Sequence, residues 1–213
     1  MRRSLFFGAV AMAAAVLVAW RIVKVAGSSD APFEPSSRLI EVAPLCPWRD
    51  PQGDLQRFFS GADRWQTETR VLSGKRLDLE KQFGRPPAAD ENAVHVHRVF
   101  RGLEFAGTIL TRRAKGEHGA IEIVVAVNPD KTIRGVHFQR LREPPEIAEA
   151  LIHSGAFEGR NLGSGWDADR DFPPVKAQAR ISFAAVAEAV RCLLVLLATS
   201  EQPEAFESTS RHP

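Results

Sequence analysis

The stretch with the plainest chemical potential is Gln178-Ala179-Arg180-Ile181-Ser182, directly before a run with helical spacing. The first amides of a helix have no partner within the helix and carry partial positive charge. An arginine beside them adds a bidentate donor for an oxyanion. A phosphate fits such a helix start without a metal. The plainer reading is that Ser182 caps the helix and Arg180 is solvated. Residue types alone leave both open.

Other constellations are weaker. His95 and His97 stand two apart on an expected strand, so they share a face and could ligate a metal; a solvated strand face is the alternative. His118, His137 and His153 fall in separate elements, with no evident third ligand. Cys46 and Cys192 could pair only if the fold brings their Cα atoms within bridging distance, which spacing does not decide. Cys46-Pro47-Trp48 reads as a packed turn. Gly163-Ser164-Gly165 lacks the second spacer of a nucleophile elbow. Gly159-Arg160-Asn161-Leu162-Gly163 has the glycines of a phosphate loop but no Gly-Lys-Ser/Thr after them, so it reads as a flexible surface loop.

Composition narrows the classes. The chain has 213 residues, 44% hydrophobic and 25% charged, an ordinary globular balance. Lys and Arg total 28 against 26 Asp and Glu. A net charge of +2 gives no electrostatic case for nucleic acid as a partner. Two cysteines are too few for a disulfide framework, show no zinc spacing, and include no Cys-x-x-Cys-His for covalent haem.

The amino terminus implies export. Met1-Arg2-Arg3-Ser4 is basic, and Leu5 to Trp20 is 16 residues without charge or proline. As a helix that run is about 24 Å long. Ser4 and residues 21–25 extend it to span length, with Arg21 and Lys24 snorkelling and Trp20 at the interface. A cleaved signal peptide, an uncleaved anchor and a buried helix are the readings. No small-x-small site follows the apolar run, which favours an anchor over residues 1–26 in the cytoplasmic membrane, single-pass, with the body on the periplasmic side. Residues 27–37 (Gly-Ser-Ser-Asp-Ala-Pro-Phe-Glu-Pro-Ser-Ser) form a linker, 38–199 one domain, and 200–213 a disordered tail.

The elements that must position any site follow from periodicity. Asp54 to Phe59 reads as a short helix capped by Asp54, with Gly61 beyond it. Val71, Leu72, Leu77, Leu79 and Phe83 suggest a second helix closed by Gly84 and Pro86-Pro87. Four strands follow: Val94–Phe100, Leu103–Ile109, Ile121–Val127 and Ile133–Phe138, separated by turn chemistry. Short connections make them an antiparallel meander, with Ile121–Val127, apolar but for Glu122, inside the sheet. Glu146–His153 is helical, with Ile147, Leu151 and Ile152 on one face. Val175–Ile181 is extended, and Ser182 caps a helix over Phe183–Ala198 whose Val186, Val190, Leu193 and Leu197 face the core. The class is α+β: a twisted antiparallel sheet with packed helices, behind a single N-terminal transmembrane helix.

Laid end to end, Phe58-Phe59-Ser60-Gly61-Ala62-Asp63, Ile121 through the Glu143-Pro144 corner, Phe157 and Gly159, and Ala177–Val190 fall in a characteristic order. That order resembles the periplasmic FMN-binding domain family, which includes flavin-carrying subunits of ion-pumping quinone and ferredoxin oxidoreductases. The resemblance covers about 140 residues. It implies FMN as cofactor, electron transfer as function, and other subunits of a membrane redox complex as partners. In members that attach FMN covalently, a threonine carries the flavin phosphate; Arg180 stands in that register here. The resemblance therefore implies non-covalent FMN, its phosphate held by Gln178, Ala179, Arg180 and Ser182, with Glu143 and Pro144 bordering the ring. The missing threonine equally suits a flavin-free descendant that scaffolds a membrane complex.

Overall fold

A computed structural model describes residues 52–202. The expected anchor, the linker and Cys46 lie outside these residues. So does the tail beyond Gln202.

The described chain runs α1 (Gln52–Phe58), β1 (Arg64–Val71), a 3-10 turn (Ser73–Lys75), α2 (Arg76–Phe83) and a second 3-10 turn (Ala89–Glu91). Then come β2 (Ala93–Arg101), β3 (Glu104–Lys115), β4 (Ala120–Val127), β5 (Ile133–Leu141) and α3 (Pro145–Ile152). A third 3-10 turn (Ala177–Ala179) leads into α4 (Arg180–Glu201). The five strands form one antiparallel sheet in the order β1-β2-β3-β4-β5, an uninterrupted meander. Two-residue periodicity turns the strands' alternate side chains to opposite faces. Val94, Val96, Leu110, Ile121, Ile123, Val125 and Val127 face α4, which supplies Phe183, Val186, Val190, Leu193 and Leu197. Val99, Ile109, Val124 and Ala126 face the other way, where Leu55 and Phe59 of the α1 region cover them. Beyond Glu122, β4 is thus apolar on both faces because both faces are packed.

α4 is the core of the molecule. It is long and apolar enough to cross a membrane by length and composition, yet most of it is buried against the sheet. Phe157 and Phe172, from the loop after α3, close its amino end by stacking around Phe183 with ring centroids 5.5 and 5.2 Å away. Lys75 hydrogen-bonds the Thr199 carbonyl at 2.9 Å near the other end.

Several expected elements differ. Val71 closes a strand over Arg64–Val71 rather than opening the second helix; α2 begins at Arg76, and Val71 and Leu77 are exposed. β1 is an edge strand with polar residues on both faces, so it lacks the alternation that marks a half-buried strand. Asp54 sits inside the first turn of α1 rather than at its cap, its carboxylate held at 2.7 Å by the Gln139 amide. Ile152 is exposed, leaving Ile147 and Leu151 as the buried face of α3. Residues 175–181 are not extended throughout. The 3-10 turn at 177–179 winds directly into α4, so Ala179 is the cap and Ser182 the third helical residue. The glycine-rich loop is tied to its neighbours through Arg160. The Arg160 guanidinium donates to the Ala156 and Gly165 carbonyls at 2.8 Å each and stacks 3.9 Å over Phe172.

Candidate functional site

Two regions carry concentrated polar chemistry. The first is the amino end of α4. Ser182 is fully buried, and its hydroxyl accepts the Glu117 N–H at 2.9 Å. Glu117 lies in the turn joining β3 to β4. The same turn meets Glu143, whose side chain is fully buried and accepts from His118 Nδ1 at 3.1 Å and from the His118 N–H at 3.3 Å. Gly116 leaves room for this carboxylate: a Cβ there would stand 1.9 Å from Glu143 Oε1 and displace it. The fold therefore brings Glu143 and Ser182 to one turn, through Glu117 and His118. Pro144 serves as the cap residue of α3, and Ala179 is buried as the cap of α4. Gln178 is exposed in the 3-10 turn. Arg180 does not join Glu143 and Ser182; its exposed guanidinium is paired with Asp169 of the preceding loop. That hydrogen bond holds the Asp169 carboxyl below its ordinary range.

The second region lies where β2 and β3 part. Their pairing runs from Arg101–Glu104 through the bulge at Val99/Phe100 to Val96–Leu110, and stops there. Beyond that point Ala93–His95 continue on β1, and Thr111–Lys115 continue on β4. Between the diverging ribbons is a cleft of about 840 Å³, floored by Val94, Leu193 and Leu196 and walled by Asp90, His95, Thr111, Arg112, Arg113 and Lys115. Its size is that of a small-molecule site. Inward-facing backbone groups of the parted strands are left to other partners there, since the ladder no longer pairs them.

Arg112 stands at the head of this cleft, on the core face, where its neighbours along β3 are Leu110 and Ala114. Its guanidinium reaches Glu91 at 2.7 Å and Asp90 at 3.5 Å. Glu91 is fully buried. It also accepts two hydrogen bonds from Arg85 at 2.8 Å each and one from the Ala88 N–H at 2.7 Å. Burial pushes its carboxyl up; the Arg85 hydrogen bonds, the Ala88 N–H and the Arg112 charge outweigh this and bring it to about 2. Arg85 is correspondingly pushed further up, chiefly by its hydrogen bond to Glu91. Cys192 lies against the same cluster, 3.7 Å from Glu91 Oε1 and 3.5 Å from Glu188 Oε1. Burial, then the Glu188 charge, pushes the thiol up to about 12, so it is a protonated donor rather than a nucleophile.

The histidines are placed as cross-strand partners. His95 Nδ1 and Thr69 Oγ1, and His97 Nδ1 and Thr67 Oγ1, are each 2.9 Å apart across the β1–β2 register. Burial, then the neighbouring His95, lowers the His97 pKa. Among the described residues no group of three or more His, Cys, Asp or Glu is arranged to hold a metal. Arg85, Glu91 and Arg112 carry no motif in the sequence, because it is burial that sets Glu91 apart and Arg112 reaches it from 21 residues away. The one local trace is the spacing Ala88-x-x-Glu91, a capping box with its usual serine or threonine replaced. No protein-family model and no curated protein matches this chain.

Proposed function

We propose that this chain is a membrane-anchored, flavin-free subunit that scaffolds a membrane redox complex, with its folded body on the outer side of the cytoplasmic membrane. One observation carries the reading. The two side chains that would hold a flavin phosphate are already committed, Arg180 to Asp169 and the buried Ser182 hydroxyl to the Glu117 N–H. The exposed Asp169 could give way to an anion, but the buried Ser182 hydroxyl could turn to one only by giving up the Glu117 N–H, so Ser182 does not fit the phosphate as it stands. Ser182 and Arg180 instead lock the β3–β4 turn and the loop around 167–171 onto α4.

A second reading, an electron carrier with non-covalent FMN, draws its support from the β2–β3 cleft. That cleft has an apolar floor and cationic walls on the scale of a cofactor site. The flavin would bring the redox chemistry, and the chain would bind and orient it.

The visible spectrum of the detergent-purified full-length chain, taken after incubation with FMN and gel filtration, separates the two. The scaffold predicts a colourless protein. Retained flavin absorption overturns it, and acid precipitation that leaves colour in the pellet identifies a covalent link. If flavin is retained, Lys115→Ala and Arg180→Ala then tell which region holds it.

A further inference from the structure

The β2–β3 hairpin ends in a tip whose residues are spent neither on the core nor on the regions above. Its turn is Arg101-Gly102-Leu103-Glu104. Gly102 has φ +58°, the geometry that a two-residue hairpin loop asks of its first residue. Leu103 at the apex is 96% exposed, more than any other large hydrophobic side chain among the described residues. Behind it, Phe100 and Phe105 meet edge-to-face with centroids 5.9 Å apart. Arg64 stacks 4.5 Å over Phe100, and Arg98 stacks 4.9 Å over Phe105. A guanidinium held over a ring keeps its charge and its remaining N–H donors for a further partner.

Charge points the same way. Elsewhere in the described residues Arg57, Arg76, Arg142 and Arg160 stand outside ion-pair distance of a carboxylate, but Arg70, Arg85, Arg112, Arg113, Arg140, Arg170, Arg180 and Arg191 lie within it. Arg64, Arg98 and Arg101 do not: Arg64 donates to the Gly102 carbonyl at 3.4 Å, Arg101 to the Ser60 carbonyl at 3.1 Å, and Arg98 meets rings alone. Arg134 adds a fourth cation at the same end of the sheet, 5.0 Å over Phe59. Against these stand Glu104 and Asp63, and Asp63 is occupied by the Gly102 N–H at 3.0 Å.

We propose that this hairpin tip docks on anionic phospholipid headgroups, the stacked arginines meeting phosphates while Leu103 enters the acyl boundary. A convex tip with a bare aliphatic apex, aromatic rings beneath it and unpaired guanidiniums around it matches the layering of a membrane interface, apolar below the headgroups and anionic at them. An acidic protein surface would satisfy the arginines but leave Leu103 without a reason to be bare. The inference rests on the body lying at a membrane surface, as the anchored reading requires. It adds a second contact that would fix the orientation of the body on that surface.

The test uses the full-length chain carrying Cys46→Ser and Leu103→Cys, labelled at position 103 with an environment-sensitive fluorophore; the buried Cys192 stays unlabelled. The chain is reconstituted into vesicles of phosphatidylcholine alone and of phosphatidylethanolamine with phosphatidylglycerol. The emission is expected to shift to the blue in the anionic vesicles only, and to be quenched there by lipids spin-labelled at shallow acyl positions. Arg64→Glu or Arg98→Gln should abolish the shift, as should raised salt. An unshifted emission in anionic vesicles overturns the proposal. So does a shift that both arginine variants preserve. Flotation of the chain with neutral vesicles reports the anchor separately. If the chain does not float there, the anchored reading fails, while the fluorophore still reads the tip on added anionic vesicles.

Discussion

Two arginine–carboxylate contacts in this molecule have nearly the same chemistry and opposite standing. Arg180–Asp169, at the start of α4, has both partners more than half exposed, at 64% and 57%. Arg85–Glu91–Arg112, at the head of the β2–β3 cleft, is built on a carboxylate with no exposure at all. Water solvates the first pair almost as well apart as together, so it guides the loop more than it stabilises the fold. The second has no water to fall back on. Glu91 is tolerable in the core only because two guanidiniums and a backbone N–H replace its hydration, and removing any of them strands a buried charge. Burial, not the identity of the ion pair, separates a contact that can be exchanged for a ligand from one that the fold depends on.

The contrast predicts a graded series. Val190→Asp places a carboxylate in the same core with no arginine assigned to it. It should cost on the order of 5 kcal/mol, enough to abolish cooperative unfolding in a denaturant titration. A variant that melts like the parent would show that the α4 face is not buried. Glu91→Gln keeps the shape but takes away the charge that both arginines answer. A loss of about 3–5 kcal/mol is expected by chemical denaturation; a loss below about 1 kcal/mol would place this cluster with the surface pairs.

The pH dependence of stability sharpens the same point. The Glu91 carboxyl is depressed from an ordinary 4.5 to about 2 in the folded chain. A depressed acid stabilises the fold above its unfolded pKa, and that contribution disappears as pH falls through the window from about 5 to about 2. The window is worth roughly 3 kcal/mol at 1.36 kcal/mol per unit. Melting followed across these pH values should show the decline in the parent and a flatter profile in Glu91→Gln. Equal slopes in the two proteins would assign acid sensitivity to other carboxylates.

The smallest effect belongs to the exposed pair. Arg180→Ala should melt with the parent, and what difference exists should vanish in high salt. A clear drop in melting temperature would make Arg180 part of the fold's support and weaken any case for it as a ligand group.

Much of the architecture is written locally. The meander from β2 to β5 follows from apolar residues at every second position and from Asn-Pro-Asp and Gly turns between them. α4 follows from apolar spacing at three and four, and β4 follows from a run that is apolar but for Glu122. These signals are legible because each element carries its own burial pattern. β1 carries none: an edge strand paired on one side with polar residues outward looks like a loop or a helix to any periodicity argument. The start of α4 is hidden for a related reason. Ser182 has the residue type of a cap, but the 3-10 turn at 177–179 continues smoothly into the helix and draws the serine into its first turn, against Glu117. Which acid is essential was not legible either. Glu91 meets Arg85 from six residues away, Arg112 from 21 and Cys192 from 101. Local order specifies which backbone each segment prefers. The dielectric around a charge depends on what the whole chain packs over it, and that exists only once the sheet, its split and α4 are assembled.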